Sequence, residues 1–191
     1  MATSEADKTL IPLHKPRLRE KVFFFVSGII TSVPLTLFVR TFTDSLCIVL
    51  PVFYATLCSI AIFTPFVEEF AKAYPLFYRH GETQRSVFML GFLVGLGFGF
   101  AEFLLYVVVL EAPVYVRLPI IFLHAGTASI TAYGIATKRT LLFYLIAVLL
   151  HFSNNFAALL EPFRFIGGPA WVITYFLSWH LYRKTSEKIV D

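Results

Sequence analysis

Six apolar runs, each close to the length needed to cross a bilayer, make up most of this chain and leave it few ways to fold. They fall near residues 22–39, 46–76, 86–110, 118–137, 140–160 and 165–182. A spanning helix needs about 20 mostly apolar residues, and inside hydrocarbon only helices and closed barrels satisfy every backbone polar group. At that length, the 191 residues hold roughly six or seven spans and no sizeable soluble domain. Composition agrees, with 58% hydrophobic and 15% charged residues against about 25% charged in soluble domains. The expected fold is an all-α, polytopic transmembrane bundle of about six spanning helices, multi-pass in the cell membrane.

The chain reads as one transmembrane domain over 22–182, flanked by an N-terminal arm, 1–21, and a tail, 183–191. Lys8, Lys15, Arg17, Arg19 and Lys21 lie in the arm, Arg79 and Arg85 after the second run, Lys138 and Arg139 after the fourth, and Arg183, Lys184 and Lys188 in the tail. The alternate loops carry Arg40, Arg117 and Arg164, so the excess of positive loops predicts that both termini are cytoplasmic. The first run contains Pro34 and lacks a small-residue cleavage signature, and it reads as a retained helix rather than a signal peptide. The long second run contains Pro51, Pro65 and Pro75, which predicts a tilted or kinked helix. The net charge of +4 suits anionic lipid headgroups and gives no support to a nucleic-acid partner. Cys47 and Cys58 are too few and too poorly spaced for a disulfide framework or a CxxC site.

Polar groups within the spans then carry the functional reading, because each must be satisfied or be there for a reason. They are Glu68, Glu69 and Lys72 in the second run, Glu102 in the third, His124 in the fourth, His151, Asn154 and Asn155 in the fifth, and His180 near the end of the sixth, where an interfacial role is expected. Helical phase puts Glu102 on the side of Gly91, Gly95 and Gly99, a small-residue stripe suited to close helix packing. His151 shares a face with Asn155, His124 with Thr127, Ala128 and Thr131, and Glu68 with Ala61, Thr64 and Lys72. Any one of these groups is explained as an interhelical hydrogen bond, and Glu68 with Lys72 as an internal ion pair. The set of four polar faces points instead to a common centre.

Carboxylates and imidazoles at such a centre suit peptide hydrolysis, which needs a base for water, an acid for the leaving amine and donors for the oxyanion. The same groups also suit a divalent metal, zinc among them, with Glu69, Glu102, His124 and His151 as candidate ligands. The aspartates, Asp7, Asp44 and Asp191, lie outside the expected spans, and neither HExxH nor GxSxG occurs. Axial rise puts Glu68 and Glu69 nearer the cytoplasmic side than the other groups, a mismatch that a break near Pro65 would relieve.

These residues carry a family resemblance. Glu68-Glu69-Phe70-Ala71-Lys72 resembles the EExxK motif of the PrsW intramembrane proteases, which are related to the CAAX-protease and bacteriocin-processing superfamily. The segment Gly97 to Glu102 with Tyr106 resembles the second motif of that family, His124 to Gly134 the third, and His151-xxx-Asn155 the fourth, in family order across the core 68–155. Phe103 stands where the family often has Asn. The resemblance implies an intramembrane endopeptidase acting on membrane-anchored protein substrates, of glutamic type with no cofactor required. Glu68 or Glu69 would be the base, Glu102 or His124 would hold the water, His151 and Asn155 would stabilise the oxyanion, and Lys72 would support the glutamate pair. Two other classes use the same residues: a transporter or channel with a carboxylate and histidine relay, and an inactive scaffold of the same fold.

Overall fold

The computed structural model describes residues 14–78, 82–160 and 167–190. Residues 1–13 of the arm, Arg79, Arg164 and Asp191 lie outside them. Among the described residues five helices are long and apolar enough to cross a membrane: α1 Leu18–Cys47, α2 Val52–Phe77, α3 Gln84–Val109, α4 Val114–Ala136 and α5 Thr140–Leu159. A sixth, α6 Gly167–Lys184, has 18 residues and falls outside those five; Trp, Tyr, His180, Arg183 and Lys184 dilute its apolar character. Among the described residues there is no strand, only two isolated bridges, His14 to Glu82 and Thr83 to Ile189, which bring His14 and Ile189 to the residues just before α3.

Two helices extend into segments expected to be loop. α1 continues past 39 to Cys47, because the hydroxyls there are satisfied within the helix: the Thr41 hydroxyl donates to the Phe38 carbonyl at 2.7 Å and the Ser45 hydroxyl to the Thr41 carbonyl at 2.7 Å. α4 starts at Val114. Arg40 and Arg117, counted as loop charges above, are therefore helical residues. Cys47 and Cys58 form a disulfide, with their Cα atoms 5.7 Å apart, that ties the end of α1 to the start of α2. The reading from spacing allowed no disulfide framework, and this single bridge arises because the α1–α2 hairpin brings the two positions together.

α4 is the central helix: 72% of its apolar window is buried, against 28% in α1, α2 and α3. Its closest partner is α3, through the glycine stripe. A methyl group on Gly95 would lie 2.7 Å from Ala128 Cβ and 2.8 Å from Ala125 Cα, and closer still to the His124 carbonyl oxygen. Backbone cannot yield as a flexible side chain does, so Gly95→Leu is expected to lower stability by at least the ~1–3 kcal/mol typical of overpacking. Helical unfolding in detergent, measured by circular dichroism, checks this. On the other side of α3, Gly97 packs on the Phe25 carbonyl of α1.

α2 does not break at Pro65. A π-helical stretch, Leu57–Phe63, precedes the α-helical segment Thr64–Ala73. There the Thr64 N–H bonds the Ser59 carbonyl five residues back. The next carbonyl in that register, Ile60, would need an N–H from position 65, and proline has none. Asn155 of α5 fills the gap, with its Nδ2 donating to the Ile60 oxygen at 3.0 Å.

Candidate active site

The second and third turns of the α-helical part of α2 aim Glu68, Glu69 and Lys72 into the bundle, and all three are buried. Lys72 is fully enclosed at 0% exposure and pairs with Glu69, its Nζ 2.5 Å from Glu69 Oε1. The internal ion pair that spacing allows between Glu68 and Lys72 is made by Glu69 instead, at i,i+3. Lys72 also donates to Thr127 Oγ1 at 3.2 Å and lies 3.0 Å from His124 Nδ1. Glu69 Oε1 further accepts from the Thr127 hydroxyl at 3.0 Å and faces His151 Nδ1 at 2.8 Å. One carboxylate oxygen thus gathers donors from α2, α4 and α5, which offsets the cost of burying its charge.

Those contacts define the tautomers. An ammonium on Nδ1 of His124 makes that nitrogen an acceptor, so the ring proton sits on Nε2, 2.5 Å from Glu102 Oε2. His151 donates its Nδ1 proton to Glu69 and keeps a lone pair on Nε2. That nitrogen faces Glu68 Oε2 at 3.6 Å, and the Glu68 oxygen has no hydrogen-bond partner among the described residues. The two imidazoles meet edge to face, their centroids 5.0 Å apart. One donor atom from each of Glu68, His124 and His151 lies within 4.8 Å of the other two.

Above this cluster lies a cavity of about 1040 Å³, lined by Glu68, Glu102, His151, Asn154 and Asn155 among polar residues. Glu69, Lys72 and His124 do not line it. The structure therefore brings Glu68, Glu69, Glu102, His124 and His151 into one contiguous network. Asn155 stands at its edge, where it also accepts from Asn154 Nδ2 at 3.0 Å. Phe103 does not line the cavity. His180 is exposed at the far end of α6.

Thr127, Asn154 and Trp171 escaped the sequence reading as site residues. Thr127 was visible only as a small polar neighbour of His124, and the Trp171 indole that donates to Asn154 Oδ1 at 2.7 Å carries no motif. Arg40 and Arg117 also line the cavity, and a hydropathy reading stops at such charges and assigns them to loops.

The fold and this centre define a class: a polytopic helical membrane protein with carboxylates and imidazoles buried together beneath a cavity. A family model described as PrsW family intramembrane metalloprotease matches residues 17–181. The chain belongs to the PrsW family, and is accordingly an intramembrane protease, a membrane-embedded hydrolase. No curated protein and no solved structure matches the chain.

Proposed function

We propose that the chain is an endopeptidase that cleaves membrane-anchored protein substrates in this cavity, with Glu68 as general base. The supporting observation is that Glu68 Oε2, buried without a hydrogen-bond partner among the described residues, faces His151 Nε2 at 3.6 Å beside the cavity. A water there donates one hydrogen to each and turns a lone pair toward the scissile carbonyl. Glu68 takes its proton during attack and passes it to the leaving amine. Asn155 Nδ2 has a second N–H beyond the one given to Ile60, free for the oxyanion. Glu69 and Lys72 are positioning residues: Glu69 holds His151 with Nε2 turned toward Glu68. His124 in turn fixes Glu102, which lines the cavity.

A metal-assisted reading is favoured by one observation, the trio of Glu68, His124 and His151. Two imidazoles and a carboxylate match the His₂Glu donor set of catalytic zinc sites, and the orphaned Glu68 oxygen fits a ligand role. These three residues would hold the ion, with Glu69 orienting His151 from behind, and His124 would exchange its bond to Glu102 for it. A bound zinc would lower the pKa of its water to about 7. The glutamic reading is preferred because both ring nitrogens of His124 are already engaged.

The two readings part under chelation. Cleavage of a membrane-anchored reporter by the purified protein in proteoliposomes is expected to survive 1,10-phenanthroline and EDTA. Loss of activity that zinc restores would establish the metal-assisted reading instead. Absence of any cleavage would sink both.

The same proposal keeps 22–182 as one transmembrane domain with a cytoplasmic arm, 1–21, and tail, 183–191. The Cys47–Cys58 disulfide supports this orientation, because it sits at the end of the bundle opposite His14 and Ile189 and disulfides persist on the oxidising side.

A further inference from the structure

The cavity carries two cations that the proteolytic reading does not use. Arg40, near the end of α1, and Arg117, in the first turn of α4, both line it. The Nε of each is buried without a hydrogen-bond partner among the described residues. Arg117 lays its guanidinium flat on Tyr106, 3.4 Å from the ring centroid. Such stacking uses the face of the guanidinium and leaves its in-plane N–H fork for another partner. Asp44 approaches Arg40 at 3.9 Å, too far for a hydrogen bond.

An arginine serving only to anchor a helix end extends its head toward the lipid headgroups. Arg117 instead turns inward onto Tyr106, which lies one helical turn beyond Glu102 on α3. Val33, Leu37, Ile60, Leu105 and Val116 make much of the remaining wall apolar. The cavity thus has carboxylates at its reacting end, guanidiniums toward the α1–α2 loop, and an apolar wall between. An acidic group is repelled from the first end by Glu68 and Glu102 and drawn to the second.

We propose that Arg40 and Arg117 form a specificity subsite that takes a carboxylate of the substrate, either an acidic side chain or a chain terminus, at a fixed distance from the scissile bond. The proposal rests on the proteolytic reading above. Tyr106 is about 6 Å along α3 from Glu102, and Arg117 about 10 Å along α4 from His124, at 1.5 Å per residue. An extended peptide advances about 3.3 Å per residue, which puts the carboxylate roughly two or three residues from the cleaved bond.

The test uses the full-length protein in zwitterionic vesicles and a set of short apolar fluorogenic peptides. A single Asp is walked along the sequence against an Asn control, and each peptide is made with a free and an amidated C-terminus. One Asp register, or the free terminus, is expected to raise kcat/KM about tenfold to a hundredfold over its neutral counterpart, the size of one charge-assisted hydrogen bond. Walking Asp against freeing the terminus distinguishes the two sources of carboxylate. In Arg40→Gln and Arg117→Gln, made singly so that a failure to fold in one leaves the other, the same ratio should fall toward one. A ratio near one in the wild type that cleaves the Asn control overturns the subsite and leaves the proteolytic reading intact, as does a preference that persists in both variants. If the variants alter cleavage only in vesicles containing phosphatidylglycerol, the arginines bind lipid headgroups and the subsite is again overturned. If no peptide is cleaved and the anchored reporter also survives, the proteolytic reading fails and takes the subsite with it.

Discussion

Glu68→Gln is expected to slow peptide cleavage by about 10²- to 10⁴-fold, the usual contribution of a general base, while the protein folds almost as well as before. The asymmetry follows from the contacts of this side chain. Glu68 Oε2 accepts no hydrogen bond among the described residues, so an amide in its place removes none of the bonds seen in the bundle. It does remove the buried carboxylate oxygen that faces His151 Nε2 at 3.6 Å, on a residue that lines the cavity. Cleavage of a membrane-anchored reporter and thermal unfolding should be measured on the same preparation. A Glu68→Gln protein as active as the wild type would falsify the assignment of the base, and one that fails to fold would show that Glu68 is structural. Glu69→Gln should behave differently and lose stability together with activity, because Glu69 Oε1 binds Lys72, Thr127 and His151 at once.

Lys72→Met should destabilise the bundle by about 3–5 kcal/mol, the cost of leaving one member of a buried ion pair without the other. Lys72 is entirely enclosed and Glu69 is 1% exposed, so no water replaces the lost ammonium. The ring of His124 loses its partner as well, and the tautomer that points Nε2–H at Glu102 is no longer enforced. The paired change, Lys72→Met with Glu69→Gln, should recover part of the loss, since it removes both charges and leaves fewer polar atoms unpaired. Unfolding curves of the two single variants and the double variant in one detergent give the coupling. A double variant as unstable as the sum of the singles would show that the two side chains act independently.

Much of this protein was legible in the amino-acid order because the membrane simplifies the problem. Where every backbone group must bond within its own helix, a run of apolar residues reports a span directly, and the expected runs 86–110 and 140–160 match Gln84–Val109 and Thr140–Leu159 closely. The ends were less legible. α1 carries Arg40 and Asp44 beyond its apolar part, and α4 begins four residues before the expected start at 118, because hydropathy falls at the first charge whereas a helix continues wherever its polar side chains are satisfied. The pairing of Cys47 with Cys58 depends on a hairpin that spacing alone does not describe.

The roles within the candidate site needed the third dimension most. Helical phase grouped Glu68 with Lys72, yet the lysine pairs with Glu69, because Thr127 and His124 of α4 draw its ammonium to that side. Asn155 reads as an oxyanion donor from its motif, while its observed bond goes to a carbonyl that Pro65 leaves without an N–H.

By itself the sequence determined that the chain spans a membrane, that the carboxylates and imidazoles of its candidate centre lie on four of those spans, and that its motifs follow the order of one protease family. Each of these depends on residue type and short-range periodicity, which the chain carries along its length. Tertiary structure alone decided which glutamate is neutralised and which is left facing a cavity, which nitrogen of each histidine holds a proton, and that two arginines enter the same space. Those are contacts between helices far apart in sequence, and a hydrogen bond depends on distances of a few tenths of an ångström that no pattern along one helix records.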